Sequence, residues 1–460
     1  MRPRIVRLGQ RYLIVVFGLT GVLLVACSTS VDPDSVPGSL IAENPTPTQQ
    51  PTTIPSVATP SHLIVGEVAS DPESENSGVT EIMTSDPFAG EWDDEETVQV
   101  WNWLKTRNWQ TDFRYRTVHL GDFESPSYRD RILPIDEPEF SRVATAPNYM
   151  NPAEPVLSLV VNGRARAYPL AILMWHELVN DNIDGRAVTV TYCPLCNTAI
   201  VFDSSVDGVE LSFGTTGILR NSDLVMWDRQ TESWWQQITG AAIVGEYART
   251  KATLEIITAS IIPWERFVSD HPEGEVLNRL FDTEGKPVRP YESPPYAGYA
   301  NSDRNPFAYP GDVDRTLLVT SRVLVLNTDE KAVVYPFEFL AENPVVNDVF
   351  DGADIVAVFD ATTNSSLNTY DRTREIAGSA AAYSRVVDGK ALTFEIRSEG
   401  LVDIETGSTW TPSGRAVSGP LIGEQLIPVA HGNHFWFAVV LFFPETEIRD
   451  SLDKLVGAAG

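Results

Sequence analysis

The feature that most constrains this chain is that it resembles itself. Val156-Leu157 through Tyr168-Pro169-Leu170 matches Val323-Leu324 through Tyr335-Pro336-Phe337 at a constant offset of 167 residues. Val179-Asn180-Asp181 matches Val346-Asn347-Asp348 in the same register. Small insertions then shift the register, so that Asp203 answers Asp371, and Asp228, Thr231, Ser233 and Trp235 answer Asp403, Thr406, Ser408 and Trp410. Each copy of a repeat must form the same elements, so this pattern fixes an architecture before any local signal does. It predicts two degenerate tandem units of about 120 residues, 155–277 and 322–449, joined by a connector 278–321. A Trp-rich extension, 86–154, with Trp92, Trp101, Trp103 and Trp109, precedes them and is expected to bury aromatic area on the first unit; 450–460 is a tail.

The pattern inside each unit reads as β-rich α+β, with mostly antiparallel strands and two short helices. Asn162-Gly163 is a strong hairpin signal. It leads through Tyr168-Pro169 into an amphipathic helix over 170–179. β-branched runs at 188–191, 199–202, 211–213, 224–227, 242–245 and 254–257 are separated by Gly, Asp and Asn breakers. A second helix is expected to start near Pro263, where proline at the first helical position costs no hydrogen bond.

A duplication supplies its own control. Residues kept in both copies serve the shared fold, which places Asp228, Ser233 and Trp235 on the structural side. Reactive residues present once are the candidates for chemistry: Cys193, Cys196, His176, Glu177, Asp223 and His271 face Ala361, Asn364, Asn343, Pro344, Ser398 and Phe443 in the second copy. The first unit is thus expected to be active and the second a degenerate support.

The N-terminus is an export signal. Arg2, Arg4, Arg7 and Arg11 precede an apolar run, 12–26, that is shorter than the roughly 20 residues of a spanning helix. It ends in Leu24-Val25-Ala26-Cys27, which is similar to a bacterial lipobox, so residues 1–26 read as a lipoprotein signal peptide and Cys27 as the lipidated residue. Residues 27–85, rich in Pro, Ser and Thr, read as a disordered tether. The protein is therefore expected outside the cytoplasm, held on the outer face of a bacterial membrane by acylated Cys27. With 63 acidic against 34 basic residues and a formal charge of −29, it lacks the basic face that nucleic acid or anionic lipid would need.

With Cys27 acylated, the remaining thiols are those of Thr191-Tyr192-Cys193-Pro194-Leu195-Cys196-Asn197. Such a pair has three uses. It can be a redox dithiol, in which one thiolate attacks and the other resolves against an exchange partner. It can hold Zn or Cu, like one knuckle of a zinc ribbon, with Asn197 in the left-handed position usually given to Gly; the missing second Cys pair would then be replaced by His176 and His271. It can also be a structural disulfide on a non-enzymatic surface scaffold. The apolar 199–202 run reads as a strand, so the helix N-terminus that activates a thioredoxin-type thiol is not expected here.

His176, in Trp175-His176-Glu177, is the candidate proton carrier, and a hydrogen-bonded helix-face histidine is the plainer alternative. Glu177, Asp223 and His271 are possible supporting residues; turn chemistry also accounts for Ser222-Asp223, and a helix C-terminal cap for His271. His431 and His434 have an H-x-x-H spacing in a Gly-containing loop, a weak metal signal.

Several motifs in order, Ala167-Tyr168-Pro169, Trp175-His176-Glu177, Val179-Asn180-Asp181, Thr191-Tyr192-Cys193-Pro194-Leu195-Cys196, Ser222-Asp223-Leu224-Val225, Asp228-Arg229-Gln230-Thr231-Glu232-Ser233 and Pro295-Tyr296-Ala297-Gly298-Tyr299, resemble the family known as domain of unknown function 3179. The resemblance covers about 110–449. It implies no defined activity. It does imply kinship with proteins catalogued as selenoproteins, with selenocysteine suspected at the Cys-pair motif, which favours a redox use of Cys193 and Cys196. The expectation carried forward is a membrane-anchored lipoprotein with thiol/disulfide chemistry at those two residues.

Overall fold

The computed structural model describes Leu104 and residues 107–455, apart from 125–126, 301, 329–330 and 368–375. The signal peptide, Cys27, the tether, Trp92, Trp101, Trp103 and Asp371 lie outside the described residues. The fold is β-rich, with short helices and mostly antiparallel sheets.

Residues 155–277 form three larger sheets and a two-stranded hairpin, Ser205–Val206 with Val209–Glu210. In the first, Pro155–Val161 pairs with Arg164–Pro169 across Asn162-Gly163, both at positive φ, which is the primed turn that matches strand twist. Ala259–Pro263 flanks it on one side, and Glu275–Leu277 lies parallel to Arg164–Pro169 on the other. The second sheet is Leu178–Ile183, Arg186–Cys193, Thr198–Asp203 and Ile256–Ile257. The third is Phe213–Arg220, Asp223–Asp228, Trp234–Gln236 and Ala242–Val244.

The elements of 322–449 run in the same order. Gly432–Phe435, Arg322–Asn327, Ala332–Pro336 and Thr446–Ile448 form a sheet whose last pair is again parallel. Val345–Phe350, Ala353–Asp360 and Ser379–Ser384 form the next, and Phe394–Arg397 through Ala416–Ser418 the third. Side chains shared by the two stretches make the same bonds. The Trp235 indole donates to Asp228 and the Trp410 indole to Asp403, each at 2.9 Å. The Asn180 amide brackets the Phe213 backbone as Asn347 brackets Phe394. Tyr168 donates to Asp181, and Tyr335 to Asp348. Each of these side chains satisfies a polar group that folding buries, so its removal would leave a partner without a bond.

The extension closes the first stretch. Trp109 packs edge-on to Trp227 and Trp234, Phe123–Glu124 adds a strand beside Phe213–Arg220, and Ile135 bridges to Val179. Edge-on aromatic contacts of this kind add to the area they bury.

Several boundaries differ from the sequence reading. The first helix is Leu170–His176, not 170–179. Its last turn closes where the Glu177 N–H meets the Leu173 carbonyl, Glu177 turns into the left-handed region (φ 58°), and fully buried Leu178 and Val179 pair instead with Thr191 and Val190. Pro263 is the N-cap of Trp264–Asp270 rather than its first residue. The strand expected at 211–213 starts at Phe213 and runs to Arg220, and that expected at 254–257 is only Ile256–Ile257. A one-turn helix, Glu246–Arg249, has no counterpart in the sequence reading.

Candidate functional site

Two tight turns meet to make the site. One is Pro194–Asn197, joining Arg186–Cys193 to Thr198–Asp203. Asn197 takes φ 54°, the left-handed value the sequence reading gave it. The second half of the chain holds this turn from behind: the Phe435 N–H donates to the Cys196 carbonyl (2.9 Å), and Asn197 Nδ2 donates to the Asn433 carbonyl (2.9 Å). Asn433 is fixed in turn by two bonds to Ala380. The other turn is Asn221-Ser222, between Phe213–Arg220 and Asp223–Asp228. Both residues have positive φ, although the second holds Ser where Gly is the easier choice. This geometry points the Ser222 carbonyl at both sulfurs, with Cys196 Sγ 3.4 Å and Cys193 Sγ 3.9 Å away.

Cys193 and Cys196 are free thiols, at most 1% exposed. Their sulfurs and a carboxylate oxygen of Asp223 all lie within 4.8 Å of one another, and all three residues are buried. Asp223 Oδ2 accepts from Gln236 Nε2 (2.7 Å) and from the Ile238 N–H (3.0 Å), whereas Oδ1 accepts from no N–H or O–H group among the described residues and is left to the thiols beside it.

The pocket disfavours negative charge. Burial pushes the Asp223 carboxyl up to about 6, against the pull of Gln236, Ile238 and the thiols. Burial, and then the charge of Asp223, pushes Glu177 to about 8. Burial likewise raises both thiols, Cys196 the further of the two. Neither carboxyl forms an ion pair among the described residues. Arg220 approaches only through Gln236 (3.4 Å) and is paired with Asp122. Four acidic groups thus lie buried together with no ion pair to either carboxyl among the described residues, a constellation typical of functional sites.

The histidines are elsewhere. His176 Nδ1 meets the Leu133 carbonyl and Nε2 the Tyr291 hydroxyl, both at 2.9 Å, so neither nitrogen is open to the sulfurs. Burial holds its pKa below the ordinary histidine value. His176 is the hydrogen-bonded helix-face residue of the plainer alternative, and it ties the connector to the first helix. His271 packs with its ring tilted against Phe267 at the end of the helix Trp264–Asp270 and lines a separate cleft. Neither imidazole belongs to the Cys193–Cys196–Asp223 group. His431 is bonded to Val429 and Ser260 and, with buried His434 of Gly432–Phe435, lines one small cavity, where no third metal-ligating group joins them among the described residues.

Sequence reasoning missed what covers the pair. Tyr296 lies near Glu177 and Cys193, and Tyr299 near Ser222 and both cysteines; burial raises the pKa of each phenol. They come from the irregular connector, where no periodicity marks a role. The only signal was the Pro-Tyr-Ala-Gly-Tyr motif itself. The Ser222 carbonyl was equally hidden, since a backbone group has no signature beyond the Asn-Ser turn that aims it.

A family model described as protein of unknown function (DUF3179) matches residues 129–446, which takes in both turns, the connector and most of the second half. No curated protein and no solved structure matches the chain.

Proposed function

The chain belongs to the DUF3179 family, and from that premise we propose that its cysteine turn is a buried transition-metal centre on an exported, lipid-anchored protein. One observation carries the reading: two free thiols and a carboxylate converge within 4.8 Å, all three buried, and the carboxylate has no ion pair among the described residues. Ligands about 2.0–2.3 Å from a shared tetrahedral ion sit roughly 3.3–3.8 Å apart, so the arrangement needs only a small contraction. Mixed sulfur and oxygen donors suit Zn(II) better than Cu(I), which prefers sulfur alone. Cys193, Cys196 and Asp223 would hold the ion, whose positive charge would offset theirs. Glu177, held near pH 8, stays protonated at neutral pH and adds no fourth charge. Ser222 and Gln236 orient the ligands.

The raised thiol pKa values fit this better than a standing nucleophile, which needs its thiolate free in the resting protein. A thiol/disulfide exchange function is the second reading, favoured by one observation: two carboxyls with proton affinities near neutrality stand beside the pair. A partner's disulfide would be reduced to two thiols as Cys193 and Cys196 close a bond, with Asp223 or Glu177 relaying the protons. The anchor is proposed to be Cys27, and the net charge of −29 keeps nucleic acid off the list of partners.

Elemental analysis of the reduced full-length protein separates the readings. The metal reading expects about one zinc per chain, lost in Cys193→Ser and in Cys196→Ser. Metal-free protein whose thiols equilibrate with a glutathione buffer would instead establish the exchange reading.

A further inference from the structure

A second cleft, of about 350 Å³, lies away from the thiols, where the two halves of the chain meet. Its floor is the edge of the first sheet, with Val160, Ser260 and Ile262. One wall is the end of the helix Trp264–Asp270 with His271, and the other comes from the second half, with Tyr383 and Arg415. The volume is at the lower end of the range for small-molecule sites, about 300–1,000 Å³.

Two features distinguish it from a packing defect. Arg415 makes no ion pair among the described residues, in a chain with almost twice as many acids as bases; the only hydrogen bond of its guanidinium there is from Nη1 to the Asp270 carbonyl, at 3.3 Å. The His271 imidazole, in the same cleft, has no hydrogen-bond partner among the described residues. The one carboxylate in the wall, Asp270, accepts from Ser413 Oγ, which fixes it on the side of the 411–415 turn. The Arg415 guanidinium, in no ion pair among the described residues, and the His271 imidazole, which feels the charge of Asp270, therefore face a space whose apolar lining is Val160, Ile262, Pro428 and the ring of Tyr383, alongside serine, threonine and glutamine side chains. Val160 is 47% exposed, an apolar side chain left open at the mouth.

We propose that this cleft binds a small organic monoanion, a carboxylate on an apolar body, with the carboxylate on Arg415 and His271 and the body against Val160 and Ile262. A monoanion is favoured over a phosphate dianion because the molecule's own −29 charge repels each added negative charge. Residues from both halves contribute, so occupancy links the two. This site is independent of the thiol pocket and stands or falls without it.

Octanoate is the probe, titrated into full-length protein by calorimetry and by thermal shift, with octanol and inorganic phosphate as comparisons. Octanoate is expected to bind once per chain and raise the melting temperature. Arg415→Gln and His271→Gln should each weaken it about tenfold or more, because a charge-assisted hydrogen bond is lost. Both side chains lie at the surface or partly exposed, so both variants should fold, and unchanged far-UV circular dichroism checks this. Equal binding of octanol would make the cleft merely apolar, and equal binding of phosphate merely cationic. Either result overturns the proposal, as does no octanoate binding or binding that both variants retain.

Discussion

Replacing Asp223 by Asn tests the electrostatics of the thiol pocket directly. An acid whose folded-state pKa is raised binds its proton more tightly folded than unfolded. Stability is then fullest below the unfolded value, falls as pH rises, and levels off above the folded value. For Asp223 the window runs from 3.8 to about 6. Two pH units at about 1.4 kcal/mol each give a loss of about 3 kcal/mol in metal-free protein between pH 4 and pH 7. The amide is nearly isosteric: its oxygen can still accept from Gln236 and Ile238, and its NH₂ replaces the oxygen left to the thiols. Urea denaturation of both proteins, with chelator and reductant present, should show the variant keeping about 3 kcal/mol that wild type loses across this range. It should also show less of the fall that Glu177 produces between pH 4.5 and about 8, since Asp223 is part of what raises that group. Identical pH profiles, or a variant less stable than wild type at pH 7, would refute the reasoning.

Ser222→Gly should stabilise metal-free protein by up to about 1 kcal/mol, because it relieves a serine held in the left-handed region; chemical denaturation that shows a loss would mean the contact of its hydroxyl with Tyr299 outweighs that strain. His176→Gln and Tyr291→Phe both break the bond that ties the connector to the first helix, and they should speed the reaction of a bulky disulfide reagent with Cys193 and Cys196 several-fold; an unchanged rate would show that the connector does not limit access. Asp228→Ala and Asp403→Ala each strip a buried indole N–H of its acceptor and should cost similar amounts, about 2–4 kcal/mol by thermal or urea unfolding; a large difference would mean the two Asp-Trp bonds do not carry the same load.

The architecture was legible wherever the sequence carries periodicity or turn chemistry. Asn162-Gly163, the β-branched runs and the matched Asp-Thr-Ser-Trp residues lead to the strands, hairpins and side-chain bonds that form. Helix ends were less legible. Nothing local in Leu170–Val179 says that Glu177 leaves the helix, because the competitor is a strand partner, Thr191, supplied from farther along the chain. At the site, the pair Cys193 and Cys196 stood out, as did Asp223 and Glu177, since each occurs in only one half. His176, the proton carrier expected from the sequence, bonds elsewhere. Spacing along the chain put His176 one residue from Glu177, but the left-handed turn between helix and strand sends the two side chains to different partners. The tyrosine cover and the Ser222 carbonyl depend on long-range packing that no period records.

The central claim is that Cys193, Cys196 and Asp223 converge to hold a metal ion. Cobalt(II) titrated into the reduced, chelator-stripped protein tests it most directly. The account predicts an intense thiolate-to-cobalt charge-transfer band that saturates at one equivalent, disappears in Cys196→Ser and weakens in Asp223→Asn. A spectrum without that band, from protein whose two thiols are both free by titration after unfolding, would contradict it.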